Sequence, residues 1–431
     1  MTDKARRAAG RAMSERDARR AIDAVWRIES ARLIAALARM TGDVGAAEDL
    51  AQDALVVALE RWPEAGVPEN PGAWLMATAR NRAIDSLRHR EIAARKEEEL
   101  GREVELRSRL AELDPAAAAS DEIDDDLLGL IFTACHPVLA PEARVALTLR
   151  LVGSLSTAEI ARAFLVKEST VAQRIVRAKR SLAEARVPIE VPGPEERERR
   201  LAAVLEVIYA IFNEGYAASV GEEWIRADLC EEAMRLGRVL AGLMPREPEA
   251  LGLAALMELT AARFPARTGP NGEAIPLPEQ DRARWDLVLI GRGLKGLERA
   301  EALGRPLGPY ALQAAIAACH ARARTPEQTD WERIVALYDA LDAISGSPVV
   351  RLNRTVAIGM TFGPAAGLEL LEGLREEPAL RGYHLLPAAR GELLERLGRD
   401  EEAALEFSRA AELSGNARER EVLLARAGGR R

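Results

Sequence analysis

Apolar residues recur every three or four positions along most of this chain, which is the spacing of amphipathic helices. The first stretch carries Ile22, Leu33 and Leu37, and a second carries Ala47, Leu50 and Ala54 after the break at 41–43. The same spacing continues from about residue 197 to 427, divided by short turns that contain Gly or Pro. We therefore predict an all-α protein.

Three segments interrupt the helical pattern. The segment WPEAGVPENPG (62–72) holds three prolines and is predicted to be a loop between two helices. DPAAAASDEIDDD (114–126) and VPIEVPGPEER (187–197) have the composition of linkers. The predicted organisation is a tail at 1–19, a helical domain at 20–112, a linker at 113–126, a second helical domain at 127–187, a Pro-rich linker at 188–196 and a helical-repeat domain at 197–427.

The stretch SLSTAEIARAFLVKESTVAQRIVRAKRSL (154–182) has the pattern of a helix-turn-helix. Ser156 and Glu159 form a capping box for a short helix, and Ser169 is placed to cap a second helix that runs to about residue 185. The second helix has an apolar stripe of Val171, Ile175, Ala178 and Leu182. Its polar face comprises Thr170, Gln173, Arg174, Arg177 and Arg180. This pattern favours a helix that reads the major groove of DNA, and an ordinary helical hairpin with a solvated face remains an alternative.

The charge of the chain conflicts at first with a DNA-binding role. Its formal net charge is -8 and its pI is near 5.5, so attraction to phosphate cannot come from the chain as a whole. The stretch 174–180, however, contains four cations and no carboxylate. A local basic surface is therefore predicted within an acidic protein.

Three cysteines, Cys135, Cys230 and Cys319, are widely separated and odd in number, which argues against a disulfide framework. Cys135-His136 and Cys319-His320 are adjacent pairs, and neighbours on a helix point about 100° apart, so buried helix positions are favoured over zinc ligation. No metal or cofactor is predicted. The sequence shows no signal peptide and no membrane span, which predicts a cytoplasmic protein.

The segment YHLLPAARGELLERLGRDEEAALEFSRAAEL (383–413) is similar to a tetratricopeptide repeat. Gly391, Ala403, Phe407 and Ala410 lie where that repeat has small, small, aromatic and small residues. Pro387 replaces the usual Trp, so the match is partial. The preceding SPVVRLNRTVAIGMTFGPAAGLELLEGL (347–374) fits a diverged helical pair.

Two of these modules together resemble a known family. GDVGAAEDLAQDALVVALERW (42–62) and AWLMATARNRAIDSLR (73–88) are similar to region 2 of bacterial sigma factors of the extracytoplasmic-function (ECF) group, and the block at 127–187 is similar to region 4. The C-terminal part resembles the ECF subgroup with a long helical-repeat extension. That likeness lies in NEGY (213–216), QDRARWD (280–286), QAAIAACHA (313–321), TDW (329–331) and SPVVRLNR (347–354).

The resemblance implies roles for particular residues. It assigns polymerase binding to Asp43, Glu48, Asp49, Gln52 and Asp53, for which a solvated helix face is the alternative. It assigns the minus-ten promoter element to Trp62, Asn70, Trp74, Arg80, Asn81, Arg82 and Arg88, with the 62–73 loop holding a flipped base. It assigns the upstream element to Ser169, Thr170, Gln173, Arg174, Arg177 and Arg180. Both tryptophans also suit a core, and for Trp74 the core is the preferred interpretation.

The function implied is that of a sigma factor. It binds core RNA polymerase and promoter DNA and performs no covalent chemistry, and its C-terminal domain has a regulatory role and is expected to bind a regulatory protein. Two promoter elements about two duplex turns apart are separated by roughly 70 Å, and the segment 91–121 reaches on the order of 100 Å when extended.

Two other classes of protein are weighed against the sigma interpretation. One is a stand-alone helix-turn-helix regulator that binds operators without polymerase. The other is an enzyme, which would need a pocket that converges on Glu214 and other titratable groups.

Overall fold

The computed structural model describes residues 15–94, 120–164, 166–216, 227–269 and 275–429, with side chains from 19–82, 125–164 and the later ranges. All regular secondary structure in these ranges is helical, and no β-strand occurs there. The prediction of an all-α fold is confirmed. The chain divides into two compact units, which we call the N-terminal unit (1–207) and the C-terminal unit (208–431).

The N-terminal unit consists of seven described helices and most of an eighth, within which the unit boundary falls. They are α1 (Glu15–Thr41), α2 (Val44–Ala65), α3 (Pro71–Ala94), α4 (Ser120–Ala134), α5 (Pro141–Leu151), α6 (Thr157–Ala163), α7 (Glu168–Glu184) and α8 (Pro194–Tyr216).

Helices α1 to α3 pack together around an Ala- and Leu-rich core. Gly42 has a φ of +69°, which permits the tight turn between α1 and α2. Asp43 then caps α2, because its Oδ1 accepts hydrogen bonds from the amides of Gly45 (2.6 Å) and Ala46 (3.0 Å). The buried face of α2 presents small alanines, which lets the neighbouring helices approach closely.

The predicted loop at 62–72 is shorter than expected. Helix α2 continues through Trp62 and Pro63 to Ala65, and α3 already begins at Pro71. Pro63 lies in the last turn of α2, where its ring removes only one backbone hydrogen bond. Pro71 occupies a first-turn position that suits proline. Only residues 66–70 form the connection.

Helices α4 to α7 form a second group. The capping box at the start of α6 is confirmed: the Glu159 amide donates to Ser156 Oγ (3.2 Å) and the Ser156 amide donates to Glu159 Oε2 (2.7 Å). The Ser156 hydroxyl also donates to Glu159, which lowers the pKa of that carboxyl. Helices α6 and α7 pack against α5 and each other as the predicted helix-turn-helix.

Helix boundaries in the structure differ from the predicted linkers. Helix α1 begins at Glu15, inside the predicted tail, and α4 begins at Ser120, inside the predicted linker 113–126. Helix α8 begins at Pro194, before the end of the predicted linker 188–196. The acidic run up to Asp126 suits a helix start, where carboxylates interact favourably with the helix dipole.

The C-terminal unit begins in α8 and continues as successive helices that pack on their neighbours in the chain. They are α9 (Ala227–Leu243), α10 (Pro248–Ala261), α11 (Phe264–Arg267), α12 (Leu287–Ala302), α13 (Pro309–Arg322), α14 (Trp331–Ser345), α15 (Pro348–Thr361), α16 (Pro364–Glu372), α17 (Leu385–Arg396), α18 (Asp400–Leu413) and α19 (Ala417–Ala427).

The tetratricopeptide-like pair is α17 and α18. Gly391 faces Phe407 so closely that a Cβ on Gly391 would lie 2.8 Å from Phe407 Cε1. Ala403 and Ala410 are buried beside Phe407, so the small and aromatic positions have the packing roles that the pattern predicts. Pro387 is buried in the first turns of α17, where it replaces the usual Trp without interrupting the helix.

Candidate nucleic-acid interface

Helix α7 separates an apolar face from a polar one. Val171, Ile175, Ala178 and Leu182 are all buried, as the stripe predicts. Ser169, Gln173, Arg177 and Arg180 are exposed, and Thr170 and Arg174 are half-buried. The residues predicted to contact the upstream element therefore lie together along one helix, with guanidinium groups at its outer surface.

The predicted cap of α7 is wrong. The helix begins at Glu168, and the residue that precedes it, Lys167, makes no side-chain capping bond. Ser169 therefore lies in the first turn of α7 instead of capping it. Its exposed hydroxyl remains available to a ligand at the helix N-terminus, where phosphate contacts are common.

The residues predicted to contact the minus-ten element lie in different environments. Asn70 caps α3, since its Oδ1 accepts from the Ala73 amide at 3.0 Å. Arg80 is half-buried, Asn81 and Arg82 are exposed, and the side chain of Arg88 lies outside the described residues.

The two tryptophans assigned to the minus-ten element differ in burial. Trp62 is only 2% exposed and is among the largest buried side chains of the described chain, whereas Trp74 is half-buried. Their rings make an edge contact with centroids 5.3 Å apart. In this structure Trp62 is therefore a core residue that offers no surface for base stacking, and Trp74 packs against its ring while remaining half-buried. Trp62 was misassigned because it was placed in a loop, whereas the longer α2 turns it inward.

The acidic residues of α2 do not form a single solvated face. Asp43 is the helix cap, Asp49 is exposed, and Asp53 pairs with Arg82 across to α3 at 3.4 Å. Thus Asp53 and Arg82, predicted to bind polymerase and DNA respectively, contact each other. Gln52 Nε2 donates to Glu48 Oε1 at 2.7 Å.

Glu48 has the least exposed carboxylate of this group, at 4% residue exposure. Arg150 Nε on α5 donates to its Oε1 at 2.6 Å, and Lys179 Nζ on α7 lies 2.5 Å from its Oε2. The Lys179 approach is a charge contact without aligned hydrogen-bond geometry. A nearly buried carboxylate with two cations is a strong local anchor, because removal of either cation leaves charge uncompensated in the interior.

Sequence reasoning missed Arg150 and the role of Lys179. Arg150 belongs to no motif, and 102 positions separate it from Glu48. Lys179 was instead counted with the basic stretch of α7. No signal in the sequence links these residues to Glu48.

Further polar contacts join the same two helical groups. Ser30 Oγ and Ser154 Oγ are 2.5 Å apart, and Ser154 has a φ of +58°, an uncommon conformation outside glycine. Arg39 Nε lies 2.8 Å from Asp126 Oδ1. Two cavities, of about 630 and 420 Å³, flank the Glu48 contact. The junction is thus held by polar pairs and is incompletely packed around them.

The cysteines are buried, which agrees with the preferred interpretation of the two Cys-His pairs. Within the ranges that the structure describes, no group of three or more His, Cys, Asp or Glu residues could hold a metal ion.

Glu214, the residue on which an enzyme interpretation depends, lies near the end of α8 and does not line the main cavity of the C-terminal unit. Among the described helices none is both long and apolar enough to cross a membrane.

Comparison with known families matches three parts of the chain. Residues 27–91 match sigma-70 region 2, and residues 130–182 match sigma-70 region 4. Residues 200–301 match a family of unknown function, DUF6596.

Comparison with individual proteins gives two kinds of relative. An uncharacterized protein of Rhizobium meliloti (strain 1021) is 46% identical over 391 residues, which cover 89% of this chain and 90% of that protein. The probable ECF RNA polymerase sigma factor SigI of Mycobacterium tuberculosis is 27% identical over 177 residues, 41% of this chain and 59% of that protein. The likeness to SigI therefore concerns less than two thirds of either chain.

The family matches coincide with the two helical groups of the N-terminal unit: α1 to α3 lie mostly within the region 2 match, and α4 to α7 lie mostly within the region 4 match. The chain therefore belongs to the sigma-70 family, as an ECF-like sigma factor that carries a C-terminal helical extension.

Proposed function

We propose that this chain binds core RNA polymerase and directs transcription initiation at promoters whose upstream element it reads through α7. The observation that carries the proposal is the exposed polar face of α7 in a helix-turn-helix whose apolar stripe is fully buried. Arg174 and Arg177 supply the bidentate donors that suit guanine edges in the major groove.

Run-off transcription tests this proposal. With bacterial core polymerase and the promoter upstream of the chain's own gene neighbourhood, we expect transcripts that require both the chain and core. Arg174→Ala/Arg177→Ala is expected to reduce them by at least tenfold, since each good base contact contributes about 1–3 kcal/mol. The matched control is Arg322→Ala/Arg324→Ala, which removes two exposed arginines of the C-terminal unit.

A stand-alone regulator is the competing function. It predicts specific duplex binding by the purified chain and no complex with core polymerase. Failure of the full-length chain to bind core would overturn the sigma proposal.

We also infer that the contact between the region 2 and region 4 helices belongs to a closed state of the free chain. Promoter elements two duplex turns apart need their reading helices roughly 70 Å from one another. In the N-terminal unit the two groups instead touch, and Glu48 accepts a hydrogen bond from Arg150 and forms an ion pair with Lys179. Basic residues of polymerase would replace these two partners and thereby release Lys179.

The closed state makes two predictions of opposite sign. Lys179→Gln removes one internal partner of Glu48, and Arg150→Gln removes the other together with a hydrogen bond to the Leu155 carbonyl. Because both changes leave Glu48 in place, we expect tighter binding to core polymerase. Glu48→Gln removes the group that polymerase would bind, so we expect weaker binding. If all three variants bind core equally well, Glu48 is a structural residue only.

The C-terminal unit is proposed to modulate this activity. A chain that ends at Val207 retains the whole N-terminal unit, including Arg200, which donates to the Phe132 carbonyl at 3.2 Å. We expect the level of core-dependent transcription to differ between this chain and the full-length one. Protection of the Cys135 thiol from iodoacetamide checks that the shorter chain is folded. Equal transcription by both folded chains would overturn the modulating role.

A further inference from the structure

A cavity of about 550 Å³ lies within the C-terminal unit. It is bounded by α8, α10, α13, α14, the start of α15 and the irregular segment 275–286. This volume is within the range of sites that hold small molecules, roughly 300–1,000 Å³. None of the promoter or polymerase contacts proposed above involves it.

Three of the C-terminal motifs that have no part in promoter recognition meet at this cavity. QDRARWD contributes Trp285, QAAIAACHA contributes Gln313 and His320, and SPVVRLNR contributes Ser347 and Asn353. These motifs are far apart in sequence. Their common location gives the three motifs one shared structural setting.

Arg282 holds the wall of the cavity in place. Its Nη1 donates to the carbonyl oxygens of His320 and Ala323, both at 2.7 Å, and its Nη2 donates to Thr329 Oγ1 at 3.3 Å. Its guanidinium also lies 4.9 Å from the centroid of the Trp285 ring. One side chain thus joins QDRARWD to the end of α13 and to the TDW motif.

Aliphatic side chains form most of the lining, and Tyr209, Trp285 and Tyr338 add aromatic rings that carry polar groups. Trp285 is 5% exposed, and its indole Nε1 has no acceptor among the described residues. The Tyr209 hydroxyl reaches Gln313 Oε1 only at 3.4 Å, and Tyr338 contributes a second phenol. Such a combination of flat apolar walls and a few polar groups is typical of sites that orient a small ligand.

The charge carried by the lining residues is positive. Arg263 is the only cation with a permanent charge among the described residues that line the cavity, and no Asp or Glu is among them. Arg263 Nη2 donates to the Tyr216 hydroxyl at 2.7 Å, which positions the guanidinium and leaves further N–H groups for a ligand. Burial, together with Arg263 and Arg282, lowers the pKa of His320 to about 4, so His320 is neutral at pH 7 and adds a polar contact without charge.

We infer that this cavity binds a small amphipathic anion, with an aromatic or branched apolar body against Trp285, Tyr209 and Tyr338 and one acidic group on Arg263. Carboxylate, sulfonate and phosphate groups share the chemistry that a guanidinium recognises. The inference concerns binding by the chain alone. It therefore stands or falls independently of the proposed role in transcription.

Two matched fluorescent probes test the inference on the full-length chain. Anilinonaphthalene sulfonate has the required aromatic body and one anionic group, and N-phenylnaphthylamine has the same ring framework without the sulfonate. We expect saturable binding of the sulfonate at one site per chain and weaker binding of the uncharged parent.

The variants separate the two parts of the proposed site. Arg263→Gln is expected to weaken binding of the sulfonate at least tenfold, as loss of a charge-assisted hydrogen bond would, and to change binding of the uncharged probe less than about twofold. Arg263→Lys retains the charge and is expected to restore most of the sulfonate binding. Ala317→Phe fills the cavity from α13 and is expected to abolish binding of both probes. The controls are Arg299→Gln and Ala336→Phe, two exposed positions that do not line it.

Circular dichroism and thermal melting confirm that each variant is folded. Unchanged binding of the sulfonate by folded Ala317→Phe would show that the probe binds elsewhere and would overturn the inference. Equal loss of both probes in Arg263→Gln and Arg263→Lys would show that Arg263 maintains the wall and does not select an anion, which would overturn the assignment of the ligand class.

Discussion

Glu48 on α2 and Lys179 on α7 are in ion-pair contact, with 2.5 Å between Oε2 and Nζ. One residue belongs to the acidic helix assigned to polymerase binding and the other to the helix assigned to DNA. The contact therefore joins the helix proposed to bind polymerase to the helix proposed to bind DNA. In the closed state proposed above, the availability of one surface would depend on that of the other.

The Glu48 contact predicts a local difference between two neighbouring cations of α7. Lys179→Ala should lower the free energy of local opening by about 1–3 kcal/mol, because it leaves a nearly buried carboxylate with one cation fewer. Arg180→Ala removes an exposed ion pair with Glu184. It should change the free energy of local opening by less than about 0.5 kcal/mol. Hydrogen exchange measured by mass spectrometry should show faster exchange of α2 and α7 amides only in Lys179→Ala. Equal exchange in both variants would contradict the prediction.

Substitution by alanine should change the stability of the chain in opposite directions at two glycines. Gly391→Ala is expected to destabilise the chain by about 1–3 kcal/mol, since the new methyl would overlap Phe407. Gly291→Ala in α12 is expected to stabilise it by about 0.5–1 kcal/mol, because nothing lies within 4 Å of the new Cβ and helical glycine is entropically costly. Thermal melting of the two variants tests the pair. A stabilised Gly391→Ala chain would show that Phe407 moves freely.

The lowered pKa of His320 predicts that the stability of the folded chain depends on pH. Burial and the nearby Arg263 and Arg282 lower the pKa of His320 from 6.5 to about 4. Between these values the unfolded chain binds a proton that the folded chain does not, so stability from this residue is present above pH 6.5 and is lost as pH falls towards 4. The loss approaches about 3.5 kcal/mol once the pH is below 4, at about 1.4 kcal/mol per pKa unit.

Denaturant unfolding at pH 7 and pH 4.5 measures this effect. The difference in unfolding free energy between the two pH values should be smaller in His320→Asn than in the unmodified chain. His384→Asn is the control, because that imidazole instead lies 2.9 Å from the Glu419 carboxylate. An unchanged difference in His320→Asn would show that His320 does not contribute to the acid sensitivity.

The cysteines should be chemically inert in the folded chain. Burial raises the pKa of Cys135 and of Cys230 to about 12, and it also raises the pKa of Cys319. Because the thiolate is the reactive form, iodoacetamide should modify all three slowly at pH 7.5 and rapidly in denaturant. Mass spectrometry of tryptic peptides tests each site separately. Rapid modification of Cys135 alone would locate an opening in the N-terminal unit.

The predictions that succeeded from sequence depend on neighbours in the chain. The capping box of Ser156 and Glu159 and the apolar stripe of α7 each involve residues within a few turns, where helix geometry alone determines which side chains meet. The helix-turn-helix was recognisable for the same reason, whereas the small and aromatic positions of Gly391 and Phe407 were recognised from their likeness to a tetratricopeptide repeat. Even there, local signals were imprecise at boundaries: Pro63 was taken as a helix breaker although the last turn of α2 tolerates it.

The sequence by itself determined that the chain is helical, which faces of the helices are apolar, and that it carries two sigma-like modules. Only the tertiary structure decided that Trp62 is buried, that the Glu48 carboxylate contacts both Arg150 and Lys179, and that Trp285 and His320 line one cavity. The physical reason is distance along the chain. Periodicity records which side of its own helix a residue occupies, whereas burial, ion pairing and cavities depend on which distant helix packs against that side.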